Sequence, residues 1–341
     1  MVKMNIMPVT RLLPRRRLLH QAAALALGCT AGGLPLAWAQ RPVRIGLSKI
    51  ISHAALDADE QGFLAAMASA GYREGVNLQI DRGNAEGDPR QAAAIAQRFV
   101  RDRVDLIYAI ATPTAQAAVQ ATQRIPVVFS SVTDPVQAGL VPPGSRPNQK
   151  TGRNVTGVSD QWPVQLQLET YAAILPRATA WGTIYNPAEA NSVAHIELMR
   201  RAARQLGLVL TEVHVQRRED VAQAAQSLVG KVQAIVITSD NTTVANLEAL
   251  VAVCEKHRIP LFAGDVDSVQ RGAIAAFGMD YFLVGYAAGR KAALVLKGVQ
   301  VGEIPWGPVE KFSLVVNQRA ARAMGVTIPP AILARADKVL P

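Results

Sequence analysis

The stretch Ala234 to Val244, AIVITSDNTTV, passes from an apolar, β-branched run straight into Ser239, Asp240, Asn241, Thr242 and Thr243. A short apolar run bounded by polar turn-formers reads as a buried strand, and the Asp-Asn-Thr cluster then opens a helix. The same design occurs at Pro126 to Val136, PVVFSSVTDPV, where the apolar part ends on Ser130, Ser131, Thr133 and Asp134. A strand that ends in hydroxyls, amides and carboxylates holds a catalytic site, caps a helix, or grips a small molecule.

Working outward, strand-like and helix-like segments alternate. VRIGLSKI from Val43 is followed by Leu56, Phe63, Met67 and Ala70 on one helical face, which Gly71 closes. VNLQI precedes a helix opened by Asp88-Pro89 and carrying Ala92, Ile95, Ala96 and Phe99; DLIYAI, TPTAQAAVQAT and PVVFSSV continue the series. The plan restarts at WGTIYN, with helices over Asn191 to Leu206, Asp220 to Val229, Thr242 to His257 and Tyr281 to Lys297, and strands LVLTEVHV, AIVIT, PLFAG and AIAAFGMD. Strands alternating with helices predict α/β architecture: two Rossmann-like lobes with parallel sheets covered on both faces. PPGSRPNQKTGRN (142 to 154) reads as the loop between the copies. The late strand KFSLVVN and the helix in IPPAILARADKVL predict that the chain returns between lobes, near Thr156, Gly278 and Pro308. The expected lobes are residues 41 to 157 with 281 to 308, and 158 to 280 with 309 to 341, joined by a multi-crossover hinge.

The 341 residues carry 36 basic and 26 acidic side chains. Lys3, Arg11, Arg15, Arg16 and Arg17 fall in the first 39 residues, which contain no acid; the remainder balances at +5, with its charges scattered. That pattern is a solvated surface and predicts no nucleic-acid partner. Residues 1 to 39 read as a signal peptide: a basic start, a short apolar run interrupted by glycines, and AWA before a cleavage point after Ala39. Arg15-Arg16-Arg17-Leu18-Leu19 also fits a twin-arginine signal, so the export route stays open. Cys29 offers a lipid-attachment site, the weaker reading, because Ala26 stands where a leucine is usual. The expected location is periplasmic. With that segment removed Cys254 stands alone, on a helical face with Val244, Leu247 and Val251, and packs in the core.

No dinucleotide fingerprint, phosphate loop, His-Glu-x-x-His or nucleophile elbow occurs, and His53, His195, His214 and His257 have no metal-ligand spacing. No catalytic residue, metal or cofactor is expected. Open α/β sheets bind ligands outside the carboxyl ends of their strands. From the first lobe this rule selects Ser48, His53, Asp57, Thr112, Gln116, Thr133 and Asp134. From the second it selects Tyr185, Asn186, Glu189, Asn191, Ser192, Asp240, Asn241, Thr242 and Asp265. Thr112, Asn191 and Thr242 serve equally well as helix caps.

The motifs IATPTAQAAVQAT, VTDPVQAGLV, NVTGVSD, YNPAEANS, SDNTTV and GVTIPPAILARADKVL together resemble the substrate-binding proteins of ABC transporters with the type 1 periplasmic-binding fold. SHAALD and DNT resemble the branch with tryptophan- and phenylalanine-binding members. The resemblance implies a monomeric receptor without enzymatic activity. It would capture a solute, here an amino acid with aromatic ones among the candidates, and pass it to a membrane permease and its ATPase. A receptor for a membrane signalling partner and an α/β enzyme are the alternatives. For an amino acid, helix N-termini near Thr112 and Asn191-Ser192 suit the carboxylate. Asp134, Asp240 and Asp265 are candidates for the ammonium, and Tyr185, His53 and Trp162 for an aromatic side chain. Asp240→Ala is expected to abolish binding and spare the fold. Ser239 and the long loop at 142 to 154 depart from the family pattern.

Overall fold

A computed structural model describes residues 41–341. The export segment, its cleavage site and Cys29 lie outside the described residues. In chain order the first elements are β1 (Val43–Lys49), α1 (Ala54–Ser69), β2 (Leu78–Asn84), α2 (Pro89–Arg101), β3 (Leu106–Ile110), α3 (Thr112–Ala121), β4 (Val127–Val132) and β5 (Val155–Ser159). There follow α4 (Val164–Ile174), β6 (Ala180–Tyr185), α5 (Ala190–Gln205), β7 (Val209–His214), α6 (Val221–Leu228), β8 (Ala234–Val236), α7 (Asn241–Val244), α8 (Leu247–His257), β9 (Leu261–Ala263), α9 (Asp267–Gln270) and β10 (Ala275–Gly278). The last are α10 (Tyr281–Leu296), β11 (Gly307–Pro308), β12 (Ser313–Asn317), α11 (Gln318–Ala323), α12 (Pro330–Arg335) and β13 (Lys338–Leu340).

The strands form two sheets, ordered β11-β5-β4-β3-β1-β2 and β13-β12-β10-β9-β8-β6-β7. Every pairing is parallel except β10 with β12. The central strands β3, β4 and β8 are buried along their whole length, as a sheet covered on both faces requires. The chain passes between the sheets three times: after β5, after β10 and after β11.

Helix ends follow their sequence signals where a short polar side chain is placed to cap. Asp88 accepts from the Arg90 amide at the start of α2, and Asp280 accepts from the Phe282 amide at the start of α10. Two readings need correction. The helix expected over Thr242 to His257 is broken into α7 and α8 at Ala245-Asn246, and the Asn246 side-chain Nδ2 donates to the Arg218 carbonyl. The caps expected at Thr112, Asn191 and Thr242 lie elsewhere: these residues sit inside the first turns, and Ala111, Glu189 and Asp240 occupy the cap positions. Cys254 is fully buried, and burial pushes its thiol up to about 12, so it is an inert core residue.

Candidate functional site

The carboxyl ends of the two sheets face each other. Thr133, just beyond β4, brings its hydroxyl to 3.3 Å from that of Ser239, beyond β8. His53, at the cap of α1, brings Nε2 to 3.5 Å from Oδ1 of Asn241. The polar ends of Pro126 to Val136 and Ala234 to Val244 therefore meet directly. Between them lies an inner cavity of about 20 Å³, room for roughly one water. Its first wall is His53, Ala55, Leu56, Ser131, Asp160 and Tyr281; its second is Trp162, Asn191, Ser239, Asn241, Val244 and Asp265. A larger chamber of about 450 Å³ opens beside it, sharing Asn241. Gln116 and the α2 and α3 N-termini wall one side, and Asn186, Glu189 and Thr242 the other.

Trp162 follows the first passage between the sheets and is seated in the second. It stacks on His195 at 4.5 Å between ring centroids, and a Cβ on Gly264 would come within 1.7 Å of its ring. Only glycine at 264 leaves space for the indole there. His195 is fully buried and burial alone drives its pKa down to about 3, so it stacks as a neutral imidazole; its Nδ1 lies 2.5 Å from the Ser239 hydroxyl. His53 is likewise pushed down to about 4, by burial first and against its contact with Asn241.

The second wall rests on a buried acidic network. Asp240 accepts from the amides of Thr243 (2.6 Å) and Asn186 (2.8 Å) and from the Ser192 hydroxyl (2.7 Å). Glu189 accepts from the amides and side chains of Asn241 and Thr242 and from the Asn191 amide group. Burial raises both carboxyls, and Asp240 raises Glu189 further. Asp240 is thus engaged beneath the cavity by the chain's own donors, which replaces the ammonium role expected for it. Thr243 is fully buried, and its hydroxyl donates to the Ile184 carbonyl.

The other candidates divide by position. His53, Asn191, Asn241 and Asp265 line the inner cavity, and Gln116, Asn186, Glu189 and Thr242 the chamber. Thr133 reaches the inner cavity through its bonds to Asp160 and Ser239. Ser48 is buried within β1 and Thr112 within the first turn of α3, where its hydroxyl has no partner among the described residues. Asp57 pairs with Lys49 at 2.5 Å. Asp134 accepts from the amides of Val136 and Gln137 and lines an outer groove instead, so it is not placed to meet an ammonium. Tyr185 turns its hydroxyl to Glu212 and His214, both at 3.0 Å, away from the cavity. Ser131, Asp160 and Tyr281 were not selected from sequence; applying the strand-end rule to β5, in NVTGVSD, finds Asp160.

Two α/β lobes with mainly parallel sheets and a polar cleft between their strand ends define a binding protein of the type 1 periplasmic-binding fold. The family described as ABC transporter substrate binding protein matches residues 44–340, and the chain belongs to it. It is 38% identical over 280 residues to a tyrosine-binding protein of Clostridioides difficile (strain R20291), covering 82% of this chain and 80% of that one. A solved structure of an ABC domain in complex with L-Trp from Streptococcus pneumoniae matches with a TM-score of 0.82 at 31% identity, over 88% of this chain and all of that one. A ligand-free, open substrate-binding protein from Clostridium difficile matches with a TM-score of 0.64 at 33% identity, over 87% and 99%.

Proposed function

We propose that the protein is the extracytoplasmic receptor of an ABC importer, which closes its two lobes on an amino acid and delivers it to a permease and its ATPase. The observation that carries this reading is the pair of contacts across the cleft, Thr133 to Ser239 and His53 to Asn241, formed by side chains from opposite sheets around one polar cavity. A cavity of about 20 Å³ cannot admit an amino acid, so loading requires the lobes to part. The three passages between the sheets supply the hinge. At comparable identity the chain superposes better on the L-Trp complex than on the open structure, which supports a closed arrangement here. The names of the tyrosine-binding relative and of the L-Trp complex support an amino-acid ligand.

The test is a thermal-shift screen of amino acids, organic acids and sugars. Ligand at 100 times its Kd stabilises the folded state by about 2.7 kcal/mol, a rise of several degrees. Amino acids are expected to give that rise. Stabilisation by nitrogen-free acids or sugars alone would sink the amino-acid reading.

A further inference from the structure

Most of the unused hydrogen-bonding capacity in the inner cavity belongs to acceptors; the Trp162 Nε1–H is a donor without a partner among the described residues. Asp160 and Asp265 both line it and are each 2% exposed. Asp160 accepts from the hydroxyls of Thr133 at 3.1 Å and Tyr281 at 2.6 Å; Asp265 accepts from the Ser268 amide and hydroxyl, both at 2.8 Å. Each oxygen thus has one donor and capacity for another. Among the described residues no ion pair is made by either carboxylate, and no Lys or Arg lines the cavity. Burial raises both carboxyls. Arg271, ion-paired to Glu248, acts on Asp265 through its field without forming an ion pair with it. Buried carboxylates without an ion-pair partner are costly, and proteins pair them.

Two further side chains point the same way. Asn191 is 4% exposed and its Oδ1 has no partner among the described residues. Its orientation is fixed, because Nδ2 faces the Ser239 carbonyl at 2.8 Å and a Glu189 oxygen at 3.2 Å, neither of them a donor when Glu189 is ionised. The Asn241 amide is fixed by Glu189 in the same manner, so its Oδ1 accepts from His53 Nε2. That leaves His53 Nδ1, also without a partner, as a bare acceptor.

We propose that the inner cavity is a seat for a primary ammonium group, with Asp160 and Asp265 as its counter-charges and Asn191 Oδ1 and His53 Nδ1 as acceptors for its hydrogens. This rests on the reading of the cleft as the solute site and gives that site a direction. An ammonium carries three donors and no acceptor, the complement of these four groups, and leaves the Trp162 Nε1–H for an acceptor elsewhere on the ligand. The Trp162 indole on the same wall also attracts a cation. An acid or a sugar brings no charge to meet the two carboxylates. The rest of the ligand faces the chamber across Asn241.

Calorimetric titration of the protein with L-tyrosine, N-acetyl-L-tyrosine, the des-amino acid 3-(4-hydroxyphenyl)propionate and tyramine tests the seat. L-Tyrosine is expected to bind at least 100-fold tighter than the N-acetyl and des-amino compounds, with tyramine between them. Asp160→Asn and Asp265→Asn are each expected to weaken L-tyrosine at least tenfold. If a variant does not fold, the analogue series in the unaltered protein decides. N-acetyl-L-tyrosine within threefold of L-tyrosine would overturn the seat and leave the receptor reading standing. If no amino acid binds, that reading fails, and simple amines decide the seat separately: binding of ethanolamine or putrescine supports it, and no binding by any amine overturns it.

Discussion

Asp59 is fully buried in α1, and its carboxylate accepts hydrogen bonds from the hydroxyls of Tyr108, Ser130 (3.0 Å) and Ser131 (2.5 Å). Ser131 has φ +54, a left-handed conformation that L-residues seldom adopt. It lies where the β4 and β5 pairing shifts register between Phe129 and Val132, and it lines the inner cavity. Asp59 therefore ties a strained bulge into the cleft wall. Burial pushes its carboxyl up to about 7, so the test is run at pH 8, where it is ionised. Asp59→Asn is expected to cost about 2 kcal/mol, from weakened hydroxyl bonds to a charged acceptor. Ser131→Gly adopts φ +54 without strain, a relief of roughly 1 kcal/mol. In that background Asp59→Asn should cost at least about 1 kcal/mol less, a coupling readable by urea denaturation of all four proteins. Hydrogen exchange at the Asp160 amide, which donates to the Val132 carbonyl at 3.1 Å, should accelerate in Asp59→Asn and recover in the double variant. The pH dependence has a definite sign. Between about pH 4 and 7 the native state holds a proton that the unfolded chain has lost, so the unaltered protein gains stability relative to Asp59→Asn as pH falls. Equal costs of Asp59→Asn in both backgrounds would refute the tether.

Three further outcomes follow from the site. Asp240→Ala strands the donors of Thr243, Asn186 and Ser192, and is expected to destabilise the fold by about 1–3 kcal/mol in chemical denaturation; an unchanged midpoint would restore the idea that it serves ligand alone. His195 has its pKa lowered to about 3, so between there and 6.5 the unfolded chain binds the extra proton. Stability should then fall with falling pH by up to about 1.4 kcal/mol per unit relative to His195→Gln, measured by urea denaturation at pH 7, 5 and 4. Gly264→Ala drives a methyl into the Trp162 ring and should cost about 1–3 kcal/mol while altering the near-ultraviolet circular dichroism of the indole. An unchanged spectrum would mean the indole is not seated there.

The alternation of apolar runs with 3.6-period faces made the two α/β lobes legible, because buried parallel strands are written as continuous apolar letters. β5 and α4 carry a weaker signal. VTGVS has a glycine at its centre, where a Cβ on Gly157 would lie 2.3 Å from the Phe129 carbonyl, so close strand packing weakens its apolar signature. The strand-end rule brought His53, Asn191, Asn241 and Asp265 to one cavity, since topology decides which ends converge. It could not separate Asp240 from Asp265: both follow a strand and both accept from the amide three residues on, but Asp240 also takes the Asn186 amide and the Ser192 hydroxyl, whereas Asp265 lines the cavity. Asp134 and Tyr185 also end strands, yet turn outward through local turn and cross-strand bonds that periodicity does not encode.

The three passages between the sheets bear on how the molecule is made. The second sheet takes β12 and β13 from residues 313–340, after the chain has already returned to supply α10 and β11 to the first. β12 lies inside that sheet, between β10 and β13. The order of synthesis therefore differs from the order of assembly: the sheet begun at Ala180 cannot close its ladder until nearly the last residue has been delivered. A chain still emerging from a ribosome or a translocation pore holds its second lobe unfinished, and loss of the final thirty residues removes an interior strand and its neighbour together.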